Sequence, residues 1–226
     1  MKKLFALSLG GSLVNSGEVD TGLLKQFKIL IESEIKKGNR FIIVVGGGKP
    51  ARRYQDALRS VIKPTADQLD WMGIFATHFN AELVRLSFGK LAHEKVCINP
   101  TTQGNFKEKI LIAAGWKPGW STDFVAVTLA KNFKAEMVVN LSNIDHAYTK
   151  DPKKFTDAKK IESTTWKEFR KIVGSVWKPG ANAPFDPIAS KLAEKEKVKV
   201  IIANGKNLKN LQNILNRKQF IGTVIE

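Results

Sequence analysis

The sequence predicts an α/β fold in which a mostly parallel sheet carries helices on both faces. Three observations point there. Strand-like and helix-like segments alternate along the chain, the pattern of parallel strands joined by helical crossovers. The segment RFIIVV at 40–45 is continuously apolar after Arg40 instead of alternating, as a strand covered on both faces must be. Glycines end three of the strand candidates, at Gly10-Gly11, Gly46-Gly47-Gly48 and Gly115.

Residues 4–9, LFALSL, form the first strand and run into the turn Gly10-Gly11-Ser12. The opening MKKLFALSLGGSLVNSG also has the outline of a secretory signal. A Gly-Gly pair inside the apolar stretch argues against that, and the alternating pattern needs the strand, so a cytoplasmic protein is expected. Asp20 caps a helix whose Leu23, Leu24, Phe27, Leu30 and Ile31 share one stripe, and Gly38-Asn39 stops it. After strand 40–45, a helix places Tyr54, Ala57, Leu58, Val61 and Ile62 at helical spacing until Pro64. Thr65 and Gln68 form a capping box for a longer helix through about Ser87. KVCI at 95–98 and KILIAA at 109–114 read as strands, 121–133 as a capped helix, and EMVVNL at 136–141 as a strand. Thr165 and Glu168 open another helix, and Pro187 after Asp186 a further one. VKVIIA at 198–203 is a strand, 208–215 a short helix, and GTVIE at 222–226 an edge strand. Residues 143–164 form the longest stretch without periodicity, and long ordered loops are often functional. No repeat, low-complexity tract or long linker divides the chain, so 1–226 reads as one domain.

Composition narrows the function classes. No apolar run reaches the roughly 20 residues that span a bilayer. The single Cys97 has no internal disulfide partner and, within KVCI, reads as a buried thiol. The formal charge of +16 comes from 37 Lys and Arg against 21 Asp and Glu, spread over short pairs such as Lys36-Lys37 and Lys153-Lys154. Such a field draws in anionic ligands, but no nucleic-acid-binding motif accompanies it.

In open α/β sheets, ligands gather beyond the carboxyl ends of the strands. Glycines there let backbone N–H groups approach phosphate oxygens, and a following helix start adds positive potential. Three such loops at one edge point to a polyphosphate or two-nucleotide site. GGGKPARR is not a P-loop, because Pro50 follows Lys49 where that motif needs a hydroxyl for magnesium. Gly46, Gly48 and Ala51 satisfy a loose dinucleotide fingerprint, yet the acidic residues that should end the next strand, Asp67 and Asp70, fall at a helix start. Lys49 and Arg52 oppose the helix dipole, and a bound anion gives them a reason to be there. In GWKPGWSTD, Ser121 or Thr122 caps the next helix. Asp123, in its first turn, either serves that helix start or organises a phosphoryl-transfer centre. Trp116 and Trp120 stack on a base or cover the loop. Asn143, Asp145 and Asp151 suit turns, and Tyr148 suits an adenine face. His78, His93 and His146 lack metal spacing with one another or with Cys97, so no protein-built metal site is expected.

Taken together, LSLGGSLV, VVGGGKPARRY, DWMG, KPGWSTDFVAVTLAK, NIDHAYTKDPKK and FDPIASKLAE follow the order seen in the amino acid kinase family. The chain most resembles its archaeal-type uridylate kinases, over nearly its whole length. The resemblance implies a three-layer αβα sandwich, with the acceptor bound by the N-terminal half and ATP by the C-terminal half. It implies Mg²⁺ with ATP as donor, transfer between ligands laid end to end over the sheet, and a homo-oligomer, usually a hexamer. By position, it places Leu9, Gly10, Gly11, Ser12, Gly47, Arg52, Ser142, Asn143, Tyr148 and Asp151 at ATP, and Gly46 and Asp70 at UMP. The loop Gly115, Trp116, Lys117, Pro118, Gly119, Trp120 and Ser121 would close on UMP, with Thr122 near its phosphate. Asp123 would organise the transfer, with Lys49 and Arg52 as its cationic partners. The chain departs from the family at three places. Bacterial members carry a lysine at the position of Ser8 and archaeal-type members often an aspartate; His146 stands where glycine is usual; and Trp116 and Trp120 replace smaller or polar residues.

The expected activity is therefore transfer of the γ-phosphoryl group of Mg·ATP to UMP, giving UDP for pyrimidine nucleotide synthesis. The alternatives are a kinase of the same fold with another small acidic acceptor, and a nucleotide-binding storage or regulatory protein without kinase activity. A nucleic-acid binder using the positive charge is a fourth reading, which predicts affinity falling steeply with salt.

Overall fold

The computed structural model describes residues 2–152, 154–176 and 183–226, so Met1 and Lys153 of the segments quoted above lie outside it. The chain runs β1 (Leu4–Leu9), α1 (Gly11–Val14), α2 (Thr21–Lys36), β2 (Arg40–Val45), α3 (Gly48–Val61), α4 (Ala66–Phe88) and β3 (Ile110–Ala113). It continues through α5 (Thr122–Asn132), β4 (Val138–Ser142), β5 (Ala147–Tyr148), β6 (Lys160–Ile161), β7 (Ser163–Thr164) and α6 (Trp166–Val173). It ends with α7 (Pro187–Lys195), β8 (Val200–Asn204), α8 (Leu208–Leu215) and β9 (Thr223–Ile225).

The main sheet has the order β3-β2-β1-β4-β8-β9-β7. Its pairs are parallel except β8–β9, which is antiparallel. The segment with the outline of a leader is thus a strand at the centre of the sheet, between β2 and β4. Side chains alternate across a strand, and β1 divides accordingly. Phe5, Leu7 and Leu9 enter a core with Phe27 and Ile31 of α2, Val84 and Phe88 of α4, and Leu211 and Ile214 of α8. Ala6 faces the opposite core, made with Val125 and Leu129 of α5, Phe169 of α6 and Ala189 and Ala193 of α7. Two apolar cores on the two faces of one sheet make the three layers.

Caps fix where the helices begin. Asp20, Ser121, Thr165 and Asp186 each accept a backbone N–H from the first turn that follows, and Thr65 with Gln68 completes the capping box of α4. Those starts are local chemistry, and they fall where the sequence places them.

Four features differ from the sequence reading, each for a tertiary reason. β9 is not an edge strand: β7 pairs with its outer side, a two-residue strand too short to show periodicity. KVCI is reduced to a bridge between Cys97 and Ala113, although Cys97 is buried as expected and its thiol is pushed up to about 11 by burial. Gly11–Val14 forms one helical turn where a glycine turn is read. The apolar stripe of α3 is not a core face: Gln55 is the buried residue of that helix, and Tyr54, Val61 (78% exposed) and Ile62 face outward. No helix among the described residues is long and apolar enough to cross a membrane.

Candidate functional site

The parallel strands β1, β2, β3, β4 and β8 bring their carboxyl ends to one rim. Successive strands from β1 run outward to β3, and β4 restarts on the other side of β1, so the β1/β4 boundary is where strand order reverses. Such switch points open a crevice for ligands. Gly10 spans this one, donating its N–H to the carbonyl of Leu141 at the end of β4 (2.9 Å).

The first two glycine loops touch backbone to backbone. A Cβ on Gly11 would stand 2.0 Å from the nitrogen of Gly48, and one on Gly46 would stand 2.5 Å from the nitrogen of Gly11. Gly48 has φ +67°, and a side chain there would meet the carbonyl oxygens of Gly11 and Asn15 at 2.4 and 2.6 Å. Glycine is required here by space and by the left-handed backbone together.

α4 carries the third loop to the same place. Thr77 accepts the N–H of Gly115 at 2.7 Å, and a His78 ring nitrogen lies 2.8 Å from the carbonyl of Gly115. Asp70 accepts the N–H of Gly119 at 2.7 Å. Asn80, one turn beyond Thr77, donates to the carbonyls of Gly46 and Gly47. One helix therefore holds the loops after β2 and β3 in a common frame. Within the third loop, Trp116 and Trp120 lie 5.8 Å apart between ring centroids, Trp120 lies 4.1 Å from Phe124, and the Lys117 ammonium sits 4.2 Å over Trp116. Trp116 and Phe124 also pack on the α5 side of the core, so these rings brace the loop against α5.

Asp123 stands in the first turn of α5, capped by Ser121, which accepts from Phe124. Its Oδ1 accepts from the Ser8 hydroxyl at 3.1 Å, and its Oδ2 accepts from the Asp186 N–H at 3.2 Å. Enclosure by protein, followed by the neighbouring Asp186 carboxylate, lifts the Asp123 carboxyl to about 7. Burial also raises Asp186, which is 4% exposed; one of its oxygens caps α7 through Ala189 and the other, Oδ2, has no hydrogen-bond partner among the described residues. Two crowded carboxylates without an ion pair among the described residues favour a positive ligand group.

Beyond β4, the segment 142–152, which contains β5 and pairs there with β6, walls a cleft of about 470 Å³. Ser142, Asn143, His146, Tyr148 and Asp151 line it, opposite Ile172 and Pro184. The structure thus gathers Leu9, Gly10, Gly11, Ser12, Gly46, Gly47, Gly115 and Asp123 around one rim, with Ser142 and Asn143 leading into the adjoining cleft. Thr122 sits beside Asp123 as the first residue of α5. Lys49 and Arg52 are exposed on the first turns of α3, and the Lys49 ammonium lies against Gly17, 3.5 Å from where a Cβ would stand there. Pro118 lies within the braced third loop.

Sequence reading passed over Thr77, Asn80 and Asp186. The signal was present for the first two: they fall on the inward stripe of α4 with Ile74, Ala81, Val84 and Phe88, where the helical period demands apolar residues. Asp186 was hidden by its capping role.

Residues 3–204 match the Amino acid kinase family. A uridylate kinase from Thermoplasma volcanium is 34% identical over 233 aligned residues, covering 100% of this chain and 99% of the relative. A uridylate kinase from Sulfolobus acidocaldarius is 34% identical over 198 residues, covering 84% and 86%. The solved uridylate kinase of Archaeoglobus fulgidus superimposes with a TM-score of 0.84 at 32% identity, over 100% of both chains. The UMP kinase of Bacillus anthracis, at 20% identity and a TM-score of 0.79, shares the fold. With a parallel-sheet switch point, interlocked glycine loops and a match over most of its length, this chain belongs to the amino acid kinase family.

Proposed function

We propose that the protein is a nucleoside monophosphate kinase that transfers the γ-phosphoryl group of ATP to UMP, giving ADP and UDP. The observation that carries this reading is the backbone contact between the Gly10–Ser12 and Gly46–Gly48 loops, with Asp123 beside them. That contact sets two N–H-rich anion cradles side by side, next to the β1/β4 switch point, as two phosphate-bearing ligands in tandem require. The uridylate kinase relatives supply the choice of acceptor.

Strand order supports a division of labour. β2 and β3 end in the loops assigned to UMP, with Gly46, Asp70 and residues 115–122 as its contacts. β4 and β8 lie on the other side of the boundary, where the 142–152 cleft takes ATP through Ser142, Asn143, Tyr148 and Asp151. Leu9 through Ser12, with Gly47 and Arg52, line the phosphate path between them.

Phosphoryl transfer asks a protein mainly for alignment and charge neutralisation. The acceptor phosphate is already anionic, so no general base is needed. Its oxygen attacks the γ-phosphorus as the bond to the bridging oxygen of ADP breaks. Lys49, Arg52 and the loop N–H groups meet the charge on the equatorial oxygens. Asp123 and Asp186 would fit a Mg²⁺ carried on the donor's phosphates: Asp186 Oδ2 is buried without a hydrogen-bond partner among the described residues, and Mg²⁺ is commonly held by one or two carboxylates plus phosphate and water. When bound, it supplies further neutralisation of the transferring group.

The protein is further proposed to be a homo-oligomer, a hexamer as the family resemblance implies, in the cytoplasm where ATP and UMP meet. The outer face of α4 supports self-association. Trp71, Phe75, Phe79 (83% exposed), Leu83 and Leu86 are all exposed along one stripe. The stripe is nearly symmetric about Phe79, so antiparallel pairing with a second copy across a dyad sets Phe75 on Leu83 and Trp71 beside Leu86, the self-complementarity that a twofold interface needs. A coupled ADP-release assay with UMP, CMP, AMP, GMP and acidic amino acids tests the function. UMP-dependent release is expected, and silence with every acceptor overturns it.

A further inference from the structure

Ser8 is the fifth residue of β1 and is 3% exposed. Strand alternation sends it to the face of Ala6, toward α5 and α7, whereas Leu7 and Leu9 enter the opposite core. A hydroxyl so enclosed must find a protein partner, and it finds Oδ1 of Asp123, 115 residues away in sequence. The backbone N–H of Asp186 holds the other carboxylate oxygen. Asp123 is therefore gripped by two neutral donors, one from the central strand and one from the start of α7. A carboxylate accepting from both sides has one orientation, and its remaining lone pairs are fixed relative to the glycine loops. Without the hydroxyl, one donor remains and the carboxylate is free to pivot about it.

We propose that Ser8 is a positioning residue for phosphoryl transfer: its hydroxyl pins the Asp123 carboxylate in the orientation the reaction uses. The proposal rests on the kinase reading above. It gives a role in transfer to the buried hydroxyl of the central strand. Ser8 acts through Asp123.

The test uses the full chain with Ser8→Ala and Ser8→Thr. A hydrogen bond to a charged group, lost from the reacting geometry, lowers the rate by about tenfold or more. Ser8→Ala should therefore lower kcat at least about tenfold while both KM values stay within about twofold, the signature of an interaction used in the transition state. Ser8→Thr keeps the hydroxyl and should retain most of kcat. In an Asp123→Ala background the same Ser8→Ala change should cause little further loss, because its target is gone. A crystal structure of Ser8→Ala supplies a readout independent of turnover, with the Asp123 carboxylate rotated from its place against Asp186. Wild-type turnover in Ser8→Ala, an equal loss in the Asp123→Ala background, or an unmoved carboxylate overturns the proposal. If the wild-type protein makes no UDP, the kinase reading fails separately, and the crystallographic comparison still decides whether Ser8 orients Asp123.

Discussion

The side-chain amide of Asn80 donates to the carbonyl oxygens of Gly46 and Gly47, at 2.9 and 3.1 Å. Neither carbonyl has a neighbouring strand to satisfy it, because the sheet ends at Val45. Replacing Asn80 with Ala leaves these acceptors unpaired at a buried position, which costs about 1–3 kcal/mol. Chemical denaturation of Asn80→Ala should show that loss. The KM for UMP should rise as the loop loosens, while the KM for ATP changes less.

Space between the loops gives a prediction with an internal control. Gly11→Ala puts a methyl 2.0 Å from the nitrogen of Gly48, and Gly48→Ala adds backbone strain to a 2.4 Å clash. Each should destabilise by about 3 kcal/mol or more, the upper range for overpacking. A Cβ on Gly104 meets nothing within 4 Å, so Gly104→Ala should stay within about 0.5 kcal/mol of wild type. Equal melting temperatures for the three variants would contradict the interlocked loops.

Charge at the transfer centre sets the third expectation. Lys49→Ala and Asp123→Asn should each reduce turnover about 100-fold or more, the scale for losing one electrostatic contact in a transition state. Steady-state assays with saturating ATP and UMP measure it. Two variants with wild-type kcat would remove this mechanism.

Asp123 also links stability to pH. Its carboxyl rises from 3.8 to about 7 in the folded chain, through enclosure first and the Asp186 carboxylate second. A carboxyl that holds its proton more tightly when folded contributes stability fully below its unfolded value, and that contribution is lost as pH rises through about 7. In metal-free protein, Asp123→Asn should therefore melt higher than wild type at pH 8, with the gap closing toward pH 4. A gap that is constant with pH would show that the carboxyl is not under this strain. The variant that stabilises the fold is also the one expected to slow transfer, as when activity depends on a destabilised site.

α4 faces two ways, with Thr77 and Asn80 on the loops and Phe79 outward. Phe79→Glu places like charges opposite each other at the proposed dyad and should shift the protein to a smaller species by light scattering. An unchanged mass for Phe79→Glu would rule the α4 stripe out as the contact.

Much of the architecture is legible in the residues because local rules govern it. Phe41 to Val45 are covered on both faces, with nothing polar to interrupt them, and α4 begins at Ala66 because Thr65 and Gln68 satisfy free N–H groups at its start. The glycines at 10–11 and 46–48 announce close backbone approach, although not to what. The α3 stripe shows where this reasoning stops: Tyr54, Val61 and Ile62 have helical spacing, but spacing says only that they share a face, not which face is covered.

By itself, the sequence determined the order of the long strands and helices, the starts of the capped helices and the residue types gathered at strand ends, since each depends on neighbours within a few positions. Only the tertiary structure decided that Gly11 meets Gly48, that α4 ties two loops together, and that Ser8 reaches Asp123. Those contacts depend on which strands become neighbours across the sheet, and strand order is set by the packing of two whole cores, a property that no short stretch of the chain contains.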